Sequence, residues 1–144
     1  TEIYTLSLHD ALPISIYVSR LQKAMHSSER LLSVVSCYVA YALRAAHQST
    51  ACNALHRLEA RTARWLLMTA DRTGERSFLL TQQMLADMLG VGRQSVNEIA
   101  SRMQRAGLIE YRRGHVTILQ RERLEKAACE CYAKLRDHYE ELMG

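Results

Sequence analysis

The stretch that decides the fold is Leu80–Leu119, which reads LTQQMLADMLGVGRQSVNEIASRMQRAGLIEYRRGHVTIL. Thr81 can cap a short helix that ends near Leu89, and the two glycines that follow supply a tight turn. A second helix is predicted over residues 93–106, where Gly107 ends it. Residues 108–111 and 115–119 then read as two strands joined by a turn at 112–114.

Four positions carry the residue types that hold two such helices together. Counted from Gln82, the small Ala86 lies at the fifth position and Gly90 at the ninth, with Val96 at the fifteenth and Ile99 at the eighteenth. The small residue lets the helices cross closely, the glycine makes the turn, and the apolar pair anchors the second helix. Together with the hairpin, this spacing predicts a winged helix-turn-helix.

The predicted fold class is mainly α with a small β-hairpin wing, in which a long dimerisation helix precedes the winged unit. One proline and six glycines in 144 residues agree with a largely helical chain. A short strand at Ser77–Leu80 could make the sheet three-stranded. The expected divisions are an artefactual leader at 1–15, a sensor remnant and dimerisation helix at 16–52, the winged domain at 53–125, and a helical tail at 126–144.

A heptad-like seam runs along the helix predicted between Ser28 and Cys52. Its small residues would let a partner helix approach closely. Two interpretations stay open, a dimerisation helix or a core helix of a larger domain, and both can hold on different faces. We favour dimerisation, since an apolar face must be buried somewhere. The residues assigned to this contact are Leu31, Val35, Tyr38, Ala42 and Ala45.

Two further helices flank the winged unit. One is predicted over 53–70, with Leu55, Leu58 and Trp65 on its apolar side and Arg57, Arg61 and Arg64 mostly elsewhere. The other is a single charged helix over Arg121–Met143, which we expect to serve packing or interaction.

The first residues are treated separately. Thr1–Ile14, TEIYTLSLHDALPI, resembles the in-frame translation of a sequencing-library adapter. We expect it to be an artefact joined to a truncated gene, with protein sequence resuming near Ile16; a natural amphipathic leader is the alternative.

Composition limits the classes of function. A net charge of +4 is compatible with a polyanionic partner, whereas 6% aromatic residues argue against a base-stacking single-strand binder. The four cysteines show no secreted disulfide pattern, so a reducing, cytoplasmic setting is expected. No apolar run has the length of a membrane span. No nucleophile elbow, phosphate loop or metalloprotease motif supports an enzyme.

Metal-ligating residues were considered at two places. Cys52 and His56 lie one helical turn apart and could share a metal ion. Cys129 and Cys131, on one continuous helix, would point to different faces. We therefore predict no metal site, with a buried thiol and an ordinary histidine instead.

Asn53–Leu124 resembles the C-terminal DNA-binding domain of Crp/Fnr-type bacterial transcription regulators. The resemblance rests on LHRLEARTARWLLM, on the whole stretch Leu80–Leu119 quoted above, and on the LEKAACECY that follows. It implies a homodimer that binds double-stranded DNA, with RNA polymerase as a further candidate partner. Family members carry an N-terminal effector-sensing domain, which is not recognisable here, so no cofactor is expected in this fragment.

The resemblance places base-reading positions at Arg93, Gln94 and Glu98. Arg93 has the expected type and suits guanine. Gln94 stands where many relatives have glutamate, and Glu98 stands where many have arginine. An unusual operator is therefore expected. Glu98 could accept from cytosine or instead pair with Arg102, and Asn97 is an additional base-reading candidate. The candidate phosphate contacts are Thr81, Gln82, Gln83, Ser95, Arg102, Arg112, Arg113 and His115.

The function expected from the sequence is a sequence-specific transcription regulator that reads the major groove with helix 93–106. The alternative is a winged-helix module that binds another protein and no DNA, since a fold does not determine its function.

Overall fold

The computed structural model describes residues 16–143, and the adapter-like segment Thr1–Ile14 lies outside them. The described chain contains seven α-helices and three short strands. None of these helices combines the length and apolarity that a membrane crossing requires. In chain order the elements are α1 (Val18–Ser27), α2 (Glu29–Leu55), α3 (Leu58–Thr73), β1 (Ser77–Leu79), α4 (Gln82–Leu89), α5 (Arg93–Arg105), β2 (Ile109–Arg112), β3 (His115–Ile118), α6 (Arg121–Ala127) and α7 (Cys131–Met143).

The long helix α2 begins close to its predicted start, after a serine cap, but ends later than expected. Ser28 is extended, and its Oγ accepts a hydrogen bond from the Leu31 amide at 3.2 Å. The helix continues to Leu55 and stops at His56, which is extended. The prediction that Leu55 lies on the apolar side of the next helix is wrong, because this side chain still belongs to α2 and is 78% exposed.

Helix α3 forms the centre of the core. Its leucines at 66 and 67 are fully buried, and it contacts α4, α5 and β1 on the side of the winged unit and α6 and α7 on another. The prediction that Arg61 and Arg64 lie mostly outside the buried side is wrong, since both are buried. Helices α6 and α7 cover the side of α3 that the winged unit alone would leave exposed to water.

The winged unit agrees closely with the sequence prediction. Thr81 Oγ1 caps α4 by accepting from the Met84 amide at 3.2 Å, and Gly90 ends this helix at φ +65°, where a side chain would be strained. The strands form an antiparallel sheet in the order β1-β3-β2. Val116 of β3, fully buried, lies opposite Phe78 on one neighbour and Tyr111 on the other.

The C-terminal segment is two helices, so the prediction of one helix over Arg121–Met143 is wrong. The backbone becomes extended at Ala128, and α7 starts afresh at Cys131. The break lets α6 pack on α3 while α7 turns back to pack on α2. A continuous helix would carry the last thirteen residues roughly 20 Å away from that contact.

Helix α2 has two apolar faces, as the two open interpretations of its seam allow. Tyr41 and Cys52 lie on an inner face against the chain's own core, where Tyr41 packs edge-on against Tyr139 of α7. Ala45, assigned to a dimer contact, also packs against this core. We call the other face the outer face of α2; its large apolar side chains are exposed and include Leu32, Val39 and Leu43.

Candidate nucleic-acid interface

Helix α5 separates a buried side from a polar one. Val96, Ile99, Ala100 and Met103 are buried against the core, as their spacing predicts. The four residues assigned to base reading, Arg93, Gln94, Asn97 and Glu98, are all exposed on the remaining surface of the helix. The fold therefore presents a continuous row of hydrogen-bonding side chains along one helix.

The first and second helices of the unit are tied together by a polar contact. Gln82, at the start of α4, donates from Nε2 to Oδ1 of Asn97 on α5 at 3.1 Å. The Asn97 oxygen is therefore engaged, whereas its amide hydrogens still point outward as donors. Both residues were assigned to DNA contacts, and this bond holds their side chains in place before any ligand arrives.

Arg102 has a different ion-pair partner from the one considered in the sequence. Its Nη2 lies 3.7 Å from Oε2 of Glu59 on α3. Glu98, one turn earlier on α5, forms no ion pair within the part of the chain that the structure describes. The alternative in which Glu98 neutralises Arg102 is thus wrong here. Because Arg102 and Glu59 are both about half exposed, their ion pair is weak and leaves Arg102 free to exchange partners.

The wing is a tight hairpin that carries its charges at the tip. β2 ends at Arg112 and β3 begins at His115, so only Arg113 and Gly114 form the loop. Both have positive φ, +50° and +82°, as in a type I′ turn. Arg112, Arg113 and His115 are all exposed. A shallow groove on this face is lined by Glu110, Arg112, Arg113, His115 and Thr117.

Two hydrogen bonds fix the wing, one to α5 and one to the segment before α4. The Tyr111 amide donates to Oε1 of Gln104 at 2.8 Å, and the Tyr111 hydroxyl donates to the carbonyl of Leu80. Burial raises the pKa of Tyr111 to about 12, so the hydroxyl keeps its proton as a donor. The wing and the exposed side of α5 therefore behave as one surface.

The remaining phosphate candidates lie at helix starts. Thr81 is the cap of α4, and Gln83 on its first turn is exposed and donates to Asp87 at 2.8 Å. Gly92 begins α5 without a side-chain cap, and the half-buried Ser95 lies in the first turn of that helix. Uncapped amides at a helix start favour an anion.

The charge of this surface is concentrated and positive. Five arginines and two glutamates lie between Arg93 and His115, which gives +3 before histidine is counted. The net charge of the whole chain is +4. A polar helix beside an arginine-bearing wing can contact base edges and phosphates together.

The comparison with protein families agrees with this geometry. The model of the Crp-like helix-turn-helix domain matches residues 60–127. The chain carries a Crp-like helix-turn-helix domain. This domain, hereafter the Crp-like domain, spans α3 through α6.

Solved structures with the same fold are Crp/Fnr-family transcriptional regulators. FixK2 from Bradyrhizobium japonicum is 19% identical with a TM-score of 0.70, over 79% of this chain and 60% of that one. A regulator from Eubacterium rectale is 23% identical with a TM-score of 0.59, over 78% and 52%. A CRP/FNR regulator from Thermus thermophilus is 23% identical with a TM-score of 0.52, over 81% and 58%.

The aligned part of each of these relatives is between 52% and 60% of its length. Among proteins with curated descriptions, none matches the chain in sequence. The domain match and the shared fold agree on a Crp-like helix-turn-helix unit within this chain.

Arg61 is a positioning residue that the sequence analysis missed. Its Nη2 donates to the carbonyl of Leu89, the last residue of α4. This bond supplies a partner to a carbonyl that the helix end leaves free, next to the turn that sets the angle of α5. A signal was present, because Arg61 lies three residues after Leu58 and four before Trp65, beside the apolar side of α3.

A second polar cluster lies where the end of α2 meets the break between α6 and α7. The prediction that Cys129 and Cys131 diverge on one continuous helix is wrong, because Cys129 lies in the break before α7. Both thiols meet Cys52 and His56, with all four ligand atoms within 4.8 Å of one another. Burial raises the pKa of Cys52, and it raises that of Cys129 to about 12.

Proposed function

We propose that this chain is a sequence-specific transcription regulator that binds double-stranded DNA and reads the major groove with α5. The observation that carries the proposal is the exposed row of polar side chains on α5, held beside an arginine-bearing wing. An α-helix fits the major groove, where each base pair presents a distinct set of donors and acceptors. The Crp-like domain supports the same assignment.

The base-reading roles follow from side-chain chemistry. The Arg93 guanidinium, exposed at the first turn of α5, suits a bidentate contact to guanine. Gln94 suits adenine, and Glu98 can accept from the amino group of cytosine, because no ion pair within residues 16–143 engages its carboxylate. Asn97 can donate from its amide nitrogen, while its oxygen already accepts one hydrogen bond from Gln82.

Phosphate contacts are assigned to the groups that surround this row. Arg112, Arg113 and His115 would grip one strand from the wing, whereas Thr81, Gln82, Gln83 and Ser95 offer hydrogen bonds at the helix starts. Arg102 can join them by exchanging Glu59 for a phosphate. These contacts carry no base preference and set the register of the protein on the duplex.

The proposed assembly is a homodimer through the outer face of α2. Leu31 and Val35 are half-buried, while Tyr38 and Ala42 are exposed, so these assigned residues remain available to a second chain. Ala45 is the exception, because the chain's own core covers part of it. Leu32, Val39 and Leu43 extend the proposed contact.

The test separates base reading from phosphate binding. Sites are selected from random duplexes with the wild-type chain, and affinity is then measured for the selected site and for each single-base change. Arg93→Ala should flatten the preference at one position per half-site, worth about 1–3 kcal/mol for a bidentate contact. Arg113→Ala should weaken binding to every sequence by a similar factor.

Arg123→Ala is the matched control, because Arg123 is exposed on α6, outside the α5 and wing surface. It removes the same charge and should leave affinity nearly unchanged. Equal losses for Arg93→Ala and Arg113→Ala without any change in base preference would refute the reading role of Arg93. Failure of the wild type to bind heparin or random duplex at low salt would favour the alternative, a protein-interaction module.

A further inference from the structure

We propose that the cysteine–histidine cluster at the junction of α2 and α7 binds one structural zinc ion. The cluster joins two breaks in the helical chain that are far apart in sequence, one after α2 and one between α6 and α7. This inference is independent of DNA binding. The ligands are Cys52, His56, Cys129 and Cys131.

Two of the six separations between the ligand atoms are close to those of a tetrahedral site, and all six are within 4.8 Å. A zinc ion with sulfur ligands at about 2.3 Å and a nitrogen ligand at about 2.05 Å holds two sulfurs about 3.8 Å apart and a sulfur and nitrogen about 3.6 Å apart. Here Sγ of Cys52 lies 3.5 Å from Sγ of Cys129, and Sγ of Cys131 lies 3.6 Å from Nδ1 of His56. The backbone therefore already holds the donors close to the required separations.

The histidine has the outer contact that metal-bound histidines need. Its Nδ1 faces the thiols, and its Nε2 lies 3.1 Å from Oε1 of Glu130. A proton on Nε2, donated to this carboxylate, leaves the Nδ1 lone pair free for a metal. Gln48 adds a second outer contact by donating from Nε2 to Sγ of Cys131 at 3.0 Å, which would stabilise a thiolate.

A buried arginine beside the cluster supplies an independent argument. Arg64 is 0% exposed, its only hydrogen bonds among residues 16–143 are to Ser49 Oγ and Met68 Sδ, and Nε and Nη2 have no partner. A zinc ion with three thiolates and a neutral imidazole carries −1, which would compensate this buried cation.

The same donor set favours zinc over other occupants. Three sulfurs and one nitrogen around a single centre match the Cys₃His set of structural zinc sites, and four protein ligands leave no open position for catalysis. A four-iron cluster places each ligand on a different iron and holds the ligand atoms farther apart. All three thiols are buried, so the site is closed to solvent on the sulfur side.

The site would determine how α2 joins the Crp-like domain. Cys52 and His56 are at the end of α2, and Cys129 and Cys131 flank the start of α7, which packs along α2. One ion bound to all four would fix the end of α2 to the break between α6 and α7. The ion would thereby set the direction in which α2 leaves the domain.

The experiment measures metal in the purified 144-residue chain, prepared under reducing conditions without chelator. We expect one zinc per chain by mass spectrometry of the metals. Treatment with a thiol-modifying mercurial should release it, as followed with a coloured zinc indicator. Cobalt(II) added to the metal-free chain should give the intense visible bands of a tetrahedral site with sulfur-to-cobalt charge transfer.

Variants then assign the ligands. Cys52→Ser and Cys131→Ser should lose zinc and the tetrahedral cobalt bands, whereas Cys37→Ser, which removes a thiol of α2 outside the cluster, should keep both. Glu130→Ala should bind zinc about 10–100-fold more weakly in a competition with a chelating dye. Because the cobalt spectrum is measured on the wild type, it remains decisive if a ligand variant does not fold.

Three results would overturn the proposal. The first is a reduced wild-type chain that binds neither zinc nor tetrahedral cobalt. The second is an iron–sulfur absorption spectrum. The third is a Cys52→Ser chain that keeps its full zinc content, since the ion would then lie elsewhere.

Discussion

Arg113 has an exposed side chain at the wing tip and a backbone conformation that is unfavourable for arginine. Its φ of +50° lies in the left-handed region, which costs a non-glycine residue roughly 1–2 kcal/mol. The turn would be more stable with asparagine, the residue that most often precedes glycine in type I′ turns. An arginine at this position therefore fits a role outside the fold, and phosphate binding at the wing tip is the role we propose.

Replacing Arg113 by asparagine should separate stability from DNA affinity. Arg113→Asn should raise the free energy of unfolding by about 0.5–1 kcal/mol because asparagine tolerates the left-handed conformation. The same change should weaken binding to all duplexes. Urea unfolding and fluorescence titration with DNA measure the two effects.

Arg112→Asn serves as the control, because Arg112 lies in β2 without positive φ. It removes the same charge and should weaken DNA binding without any gain in stability. A gain of stability in both variants would show that charge repulsion, rather than backbone strain, is relieved.

At the level of single residues, the sequence predicts whether a side chain is buried or exposed better than it predicts which residues that side chain contacts. The helical period correctly assigns Val96 and Ile99 to the core and Arg93 to the surface. It could not reveal that Arg102 pairs with Glu59 or that Arg64 is buried, because those facts depend on how α3 packs against α5 and α2. Sequence distance says little about such contacts.

Among the elements, α2 carries the largest contrast between its two faces. The inner face packs on α7, and the outer face leaves Leu43 57% exposed together with Leu32 and Val39. An apolar stripe of this kind on a 27-residue helix is typical of a helix that pairs with another. A second copy of α2 is the partner that we propose.

The outer face can be tested without disturbing the chain's own core. Leu43→Glu should convert a dimer to a monomer, because it places a carboxylate in the proposed contact while leaving the inner face intact. Light scattering coupled to size exclusion measures the mass, and circular dichroism checks that helicity is retained. Arg44→Glu is the control, since Arg44 is exposed on the same helix but points away from the stripe; a monomeric wild type would contradict the assignment.

The elements of the winged unit could be predicted because local signals mark their ends. Thr81 caps α4, Gly90 ends it, and the Arg113–Gly114 turn sets the hairpin. The break at Ala128 has no comparable signal, since neither glycine nor proline marks it. Long-range packing of α7 on α2 overrides the local preference for one continuous helix, and the meeting of the cysteines was missed for the same reason.

For the molecule as a whole, a homodimer would bind two half-sites. Recognition helices from two chains would enter major grooves about 34 Å apart, so the selected operator should be a rough palindrome with half-site centres about one helical turn apart. Sequencing of selected duplexes measures this spacing. A single, unpaired half-site would contradict a symmetric dimer on DNA.

The positive charge of the α5 and wing surface predicts that the affinity for DNA depends steeply on salt concentration. With about 6–10 phosphates contacted, affinity should fall by about three to five decades between 50 and 200 mM salt. Titrations at several salt concentrations give the slope, which Arg113→Ala should reduce by about one. A nearly flat dependence would exclude the wing as a phosphate-binding element.

The cysteine–histidine cluster also has a consequence for the order of events in folding. Cys52 and Cys129 are 77 positions apart, and the loop between them contains the whole of the Crp-like domain. Closing a loop of that length early in folding is entropically unfavourable, whereas the folded domain brings the ends together. An ion that binds at that late stage would slow unfolding far more than it would speed folding.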